Sequence, residues 1–485
     1  MRTKFWAVVI VLGVFAGYFV FFNGINDFIN TQIKPTFAAD EKKDVFPQPK
    51  NTVYRMALKL DPVNLTITGH SIIRTKNTSD SILNEIYFTM YPNAMRQAVD
   101  TPAPAAAYYG GFDPGWITVS SAVVNGMEVD FLDFGINGML DLPEYIDPGQ
   151  AVTIDLKWSA KIPRAAYRYG SKDGAVLLGN FYPVLNIKDK NGWHNACNIQ
   201  FGDPFYTQSA DYKVELSLPA NYQAVCTGEI SDVKLDGQGG QVIELSAFQA
   251  RDFAIAALSG FLNDSQDVGG THIQCYYRPS DALVAKEILG CAAASVQYYN
   301  NTFGTYPYSR LLVVQAPMEG FRGMEHSGIV FISDAAFKSN YDARDRAFLV
   351  AHEVAHQWWF GMVGNDQINE PWLDEGLASW SADRYLKKVE YRTARYRSPE
   401  KGYLDRSLNQ ISNRQSYYDI AYWSGAAFWN GLEQKLGEPE VLVVLRSYLA
   451  RYRDKTATTD DLRQVIVDES GQDLKPYLDR WFKAE

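Results

Sequence analysis

An α+β fold is predicted for this chain of 485 residues: a β-rich amino-terminal half of antiparallel sandwich or saddle type, then a mostly α-helical half with a small sheet. A membrane-spanning helix is expected before both. Three observations predict this order. The chain opens on an uninterrupted apolar run, continues with a period-two pattern, and changes near residue 270 to helical spacing. The composition is 46% hydrophobic and 14% aromatic, which excludes a disordered chain and supplies a large core. The net charge of −10 sets nucleic-acid binding aside. Four cysteines, Cys197, Cys226, Cys275 and Cys291, form no CxxC pair, so neither a thiolate zinc site nor a disulfide framework is expected.

Phe5 to Phe22 is 18 residues without a charge, close to the ~20 that cross a bilayer. Arg2 and Lys4 precede it and no basic residue follows before Lys34. Residues 1–22 therefore read as an uncleaved anchor, with the amino terminus cytoplasmic and the remainder outside. A cleaved signal peptide, and hence secretion, is the alternative. Sequons at Asn64, Asn77, Asn263 and Asn300 agree with export. Residues 23–51, with Pro35, Pro47, Pro49 and a charge run, read as a linker.

Residues 52–266 hold the alternating stretches VYRMALKL, NLTITGHSIIR, AVTIDLKW, DYKVELSLP and QVIELSAF, separated by turn residues. Residues 267–485 hold four segments of helical spacing, beginning at Asp281, Asp342, Leu373 and Ser424. LLVVQAP and GIVFIS remain strand-like.

The chemistry is concentrated between residues 319 and 422. His352-Glu353-Val354-Ala355-His356 places two imidazoles at i and i+4, on one helix face, where both reach one Zn²⁺. Glu353 lies beside that metal and can take a proton from water. Chance supplies roughly 0.003 such strings in this composition. Catalytic zinc takes three protein ligands and leaves a position open. Glu375, with 18 residues between it and His356 and flanked by Trp372, Leu373, Leu377 and Trp380, completes a His₂Glu set.

HExxH followed after 18 residues by Glu-Gly-x-Ala resembles the aminopeptidase N family of gluzincin zinc peptidases, family M1, in a short two-domain form. MEGFRGMEHSG resembles its exopeptidase motif, usually Gly-Ala-Met-Glu-Asn. AYWSGAAFWNGLEQKLG resembles its Tyr-x-Lys-Gly-Ala segment, and DLKPYLDRWF the end of its catalytic domain. The resemblance implies a saddle domain followed by a thermolysin-like catalytic domain, with one Zn²⁺ per chain and peptide substrates. Carried over residue by residue, it implies that His352, His356 and Glu375 hold the metal and that Glu353 is the general base. Glu325 would bind the substrate's α-amine, within a substrate-binding segment of Gly323, Met324, Glu325 and His326. Tyr422 would meet the oxyanion, with Tyr418, one helical turn away, as the fallback.

Four positions depart from the family pattern. Arg322 and His326 replace the first Gly and the Asn of the exopeptidase motif, Ser424 replaces Lys, and Asp374 stands where Asn is usual. The family's second amine-binding acid, in a Gln-x-Glu-like segment, has its nearest counterpart in WHNACNIQFGDPF, which has no Glu. Weaker or differently built amine recognition is therefore expected. The leading expectation is a membrane-anchored zinc aminopeptidase. An endopeptidase or dipeptide-releasing peptidase on the same site, and a binding protein on an inactive scaffold, are the alternatives. His70, His194 and His272 read as surface or structural residues.

Overall fold

The computed structural model describes residues 51–389 and 404–482. Residues 1–22, where the anchor is expected, and all of the linker but Asn51 lie outside the described residues. Among the described residues no helix is long and apolar enough to cross a membrane. Lys50–Glu485 forms one compact unit.

Its first half is built on an eight-stranded sheet. In spatial order the strands are Glu229–Leu235, Gly240–Ala250, Ala210–Pro219, Thr52–Asp61, Thr66–Lys76, Ala151–Lys161, Trp116–Val124 and Met127–Glu128. The five alternating stretches all fall in this sheet. Ala151–Lys161 shows why: Val152, Ile154, Leu156, Trp158 and Ala160 are buried while the residues between them are not. Period two puts one set on the core face. Trp158 lies over Gly69, where a Cβ would stand 2.2 Å from the indole, and its Nε1 donates to Ser71 Oγ at 2.8 Å. The sequence predicts antiparallel strands throughout, but the sheet is mixed. Thr52–Asp61 pairs antiparallel with Thr66–Lys76 but parallel with Ala210–Pro219. A parallel neighbour needs a long crossover, and the intervening strands supply it. The asparagine of one sequon is buried: Asn77 Nδ2 donates to the carbonyls of Ser81 and Ile146.

The second half carries a five-stranded mixed sheet, in the order Leu262–Val268, Thr271–Tyr277, Arg310–Ala316, Ile329–Ser333 and Gly323–Met324. The strand Leu262–Val268 thus pairs into the sheet of the second half. Gly323–Met324, the exopeptidase motif, is its short antiparallel edge. Helix α1 (Ala282–Thr302) packs on Thr271–Tyr277 and against α2 (Ala343–Ala355). In turn, α2 packs on α3 (Trp372–Lys388), and α3 on α4 (Gly425–Leu436). Asp342 caps α2 by accepting from the backbone N–H groups of Arg344 and Asp345. Trp358, Trp359, Trp372, Trp380 and Trp429 are fully buried in the shared core.

Two glycines set the α3/α4 distance. A Cβ on Gly376 would lie 2.8 Å from Gly425 Cα, and one on Gly425 would lie 2.7 Å from Gly376 Cα. Only two residues without side chains permit this approach. Gly376 follows the predicted zinc ligand, and Gly425 follows the Tyr422 segment. Gly425→Val is expected to destabilise the fold by roughly 1–3 kcal/mol, as overpacking does. Denaturant unfolding checks this, with a lowered midpoint and an unchanged slope as the expected outcome.

Candidate active site

Helix α2 ends at the predicted metal ligands, because 3.6 residues per turn bring His352 and His356 to one face. Their Nε2 atoms lie 3.1 Å apart. From the first turn of α3, Glu375 Oε2 reaches 3.1 Å from His352 Nε2 and 3.4 Å from His356 Nε2. All three residues are buried, and their ligand atoms fall within 4.8 Å of one another. Tetrahedral ligands at zinc bond lengths lie roughly 3.3 Å apart, so these spacings fit one ion. The donor chemistry fits as well. His356 Nδ1 faces the Trp359 carbonyl at 3.1 Å and His352 Nδ1 faces Ser379 Oγ at 3.4 Å. With Nδ1 so engaged, the Nε2 lone pairs point inward. Glu375 Oε2 is buried and accepts no hydrogen bond. Burial would raise the Glu375 carboxyl, but the two imidazoles outweigh it and hold it below the usual range.

Glu353, one residue along α2, projects into the same chamber. Its Oε2 is buried without a partner, and its carboxyl is pushed up to about 8, chiefly by burial and then by Glu375 and Asp203. Gly323 makes room for it, since a Cβ there would stand 2.0 Å from Glu353 Oε1. Glu325, after the edge strand, is 4% exposed and lines the chamber beside the metal ligands. Burial, then Asp203, pushes its carboxyl well above the usual range. Gln367 Nε2 donates to Glu325 Oε1 at 3.2 Å and to Asp374 Oδ2 at 2.7 Å. Asp374, also bonded by Asn365, is pushed up to about 7 by burial and by Glu375.

Asp203 was not singled out from sequence. It comes from the FGDPF stretch of the β-rich half and lines the chamber with Glu325. Arg168 is 1% exposed, pairs with Asp203 and donates to Gly202 O at 3.0 Å. A second carboxylate therefore stands where the missing Glu suggested none. The sequence signal was an Asp one position beyond the one expected to hold Glu.

The residues of the exopeptidase motif divide. Met324 is buried in a core cluster, with Arg168 Nη1 3.3 Å from its sulfur. His326, expected as a substrate contact, does not line the chamber. Its Nδ1 pairs with Asp252, its ring edge packs on Gly179, and its carbonyl accepts from Gln357 Nε2 at 3.1 Å. Asp252 also accepts from Ser327 N at 2.8 Å. His326 therefore ties the Glu325 loop to the β-rich half. Arg322 stands on the rim, its Nη1 3.4 Å from the Tyr341 hydroxyl. Ser424 Oγ donates to its own helix, at Asp419 O, over 2.7 Å.

Tyr418–Ser424 is wound as a π-helix, a form frequent at functional sites. In an α-helix, positions 417 and 422 would be about 140° apart. The wider winding aligns them. Tyr422 and Tyr417 both donate to Glu375 Oε1, at 2.5 and 3.2 Å. Tyr422 also stacks on His352 at 5.4 Å. Tyr418 packs 5.0 Å from Tyr422 and lines the chamber beside it. Tyr417 was missed because α-helical spacing does not bring it to this face. His70, His194 and His272 each pair with an aspartate away from the chamber.

The chamber opens on one side into a cavity of about 390 Å³, lined by Arg322, Phe348, Leu349, Leu386 and Trp423 among others. Glu325 and Asp203 lie on the other side of Glu353 and His352.

Residues 288–481 match the peptidase family M1 domain. Aminopeptidase M1-B of Oryza sativa subsp. japonica is 25% identical over 57% of this chain and 34% of its own length. Aminopeptidase 2 of Candida albicans (strain SC5314 / ATCC MYA-2876) is 25% identical over 58% of this chain and 33% of its own. The chain thus spans about a third of the length of these relatives. An M1 zinc metallopeptidase from Deinococcus radiodurans has the same fold, at a TM-score of 0.64 and 17% identity, covering 90% of this chain and 95% of its own. The matched residues carry His352, His356 and Glu375, so the site lies in the part of the chain that resembles the peptidase family M1 domain.

Proposed function

We propose that this protein is a zinc-dependent aminopeptidase that removes amino-terminal residues from peptides. The observation that carries the reading is the pair of buried carboxylates, Glu325 and Asp203, in the chamber shared with His352, His356 and Glu375. Buried carboxylates favour a cationic partner. A free peptide amine supplies one, whereas an internal amide leaves Glu325 without a counter-charge, since Arg168 already pairs with Asp203, at a cost of several kcal/mol.

His352, His356 and Glu375 would hold Zn²⁺, which when bound lowers the pKa of water and polarises a carbonyl. Glu353 takes the proton of the attacking water and delivers it to the leaving nitrogen. Its Oε2, buried without a partner in the chamber, is free for both transfers. Tyr422 turns its hydroxyl from Glu375 toward the developing oxyanion. Glu325 and Asp203 orient the amine, and Gln367 and Arg168 hold these two acids. The apolar run Phe5–Phe22 supports an anchor that keeps this activity on the exported side of a membrane.

The test uses metal analysis and free-amine or amino-blocked fluorogenic amides on one preparation. One zinc per chain and cleavage of free-amine substrates alone are expected. Cleavage of blocked substrates at a similar rate would move the function to endopeptidase. Glu353→Gln is expected to lower kcat by about 10²–10⁴-fold with zinc retained. Glu325→Gln is expected to lower kcat/KM on free-amine substrates by about 10–100-fold while narrowing their advantage over blocked ones. Gly323→Ala is expected to lower kcat by at least about 10-fold with an unchanged melting temperature, because the new methyl group displaces the general base.

A further inference from the structure

Phe201 and Arg414 line the chamber together with Glu325 and Asp203. The same two side chains line the inner edge of a groove of about 700 Å³, bordered by Ala98, Pro104, Tyr108, Phe112 and Asn413. The chamber and the groove share no other lining residue. Phe201 and Arg414 therefore form a partition between two spaces.

Arg414 is fixed across that partition. Its Nη1 donates to Gly320 O at 2.6 Å and its Nη2 to Gln200 O at 2.9 Å. Its guanidinium carbon lies 5.9 Å from the Phe321 ring centroid. Gly320 opens the loop that leads to Glu325, and Gln200 opens the segment that carries Asp203. One planar side chain thus joins the two backbone segments that bear the two acids. The fork geometry of arginine spans two carbonyls at once, which a lysine ammonium on a single point does not. Gly320 has φ +88°, and a Cβ on it would lie 3.0 Å from Arg414 Nη1, so the loop is shaped to receive this group.

From this geometry, and resting on the aminopeptidase reading above, we infer that Arg414 is the specificity-determining residue that bars any substrate residue upstream of the first. Glu325 discriminates by charge, because a neutral amide N–H gives its buried carboxylate no counter-charge, while Asp203 is already paired with Arg168. Arg414 discriminates by volume, because it occupies the path that an extended or acylated amino terminus would follow. Shortening it joins the chamber to the groove.

The test uses the full chain loaded with zinc, as wild type, Arg414→Ala and Arg414→Lys. Two substrates are compared, leucine aminomethylcoumarin amide and its acetyl-alanyl-extended form. Binding of leucine hydroxamate and acetyl-alanyl-leucine hydroxamate is measured by calorimetry in a Glu353→Gln background, which needs no turnover. Arg414→Ala is expected to raise the extended-to-free ratio of kcat/KM at least 10-fold and to narrow the affinity gap between the hydroxamates by a similar factor. Arg414→Lys, which reaches one carbonyl at a time, is expected to fall between it and wild type. An unchanged ratio and gap in a variant that still binds leucine hydroxamate would overturn the inference. So would an equal loss of affinity for both hydroxamates, the mark of a purely structural role. If Arg414→Ala does not fold, Arg414→Lys and Arg414→Gln decide by the same two readouts. A wild type that cleaves neither substrate counts against the aminopeptidase reading, and the calorimetric gap then decides the role of Arg414.

Discussion

The arrangement depends on an excess of buried negative charge. Asp203, Glu325, Glu353, Asp374 and Glu375 are all buried around two imidazoles, with Arg168 the buried cation at their edge. Burial first, and then the neighbouring carboxylates, raise the proton affinity of Glu325, Glu353 and Asp374. The donor set of His352, His356 and Glu375 fits one metal ion, which offsets part of this charge.

Residues without side chains keep this charge in register. Gly376 and Gly425 let α3 and α4 touch by backbone, which fixes Glu375 against the Tyr417 and Tyr422 segment. Gly323 gives the edge strand a surface against which the Glu353 carboxylate fits. Gly364 lies flat against the Arg251 guanidinium, whose N–H groups donate to Phe360 O, Thr207 O and Lys455 O. That buried cation joins the β-rich half to segments on both sides of the site. Together with the His326 and Asp252 pair, it makes the first half part of the site's scaffold.

The departures from the family pattern acquire physical meanings in this setting. His326 serves the loop through Asp252 and does not reach the chamber. Asp374 is held by Asn365 and Gln367, and Gln367 extends that hold to Glu325. Ser424 turns inward to its own helix. The absent Glu of the β-rich half is answered by Asp203, with Arg168 behind it.

The sequence by itself determined what repeats over short distances. Alternation over Ala151–Lys161 marked a half-buried strand, and helical spacing marked α1 to α4. The i, i+4 histidines and Glu375 marked a metal site, because ligand spacing on helices follows from covalent geometry. Only the tertiary structure decided what depends on contacts between distant segments. The parallel pairing of Thr52–Asp61 joins strands with most of the β-rich half between them. Asp203 lines the chamber because Arg168 holds it beside Glu325, over 120 residues away in sequence. Tyr417 joins Tyr422 because the winding between them is π, and His326 turns away because Asp252 takes its ring. Local pattern records which face of an element is buried. It does not record which other element buries it, and at this site that second fact assigns the roles.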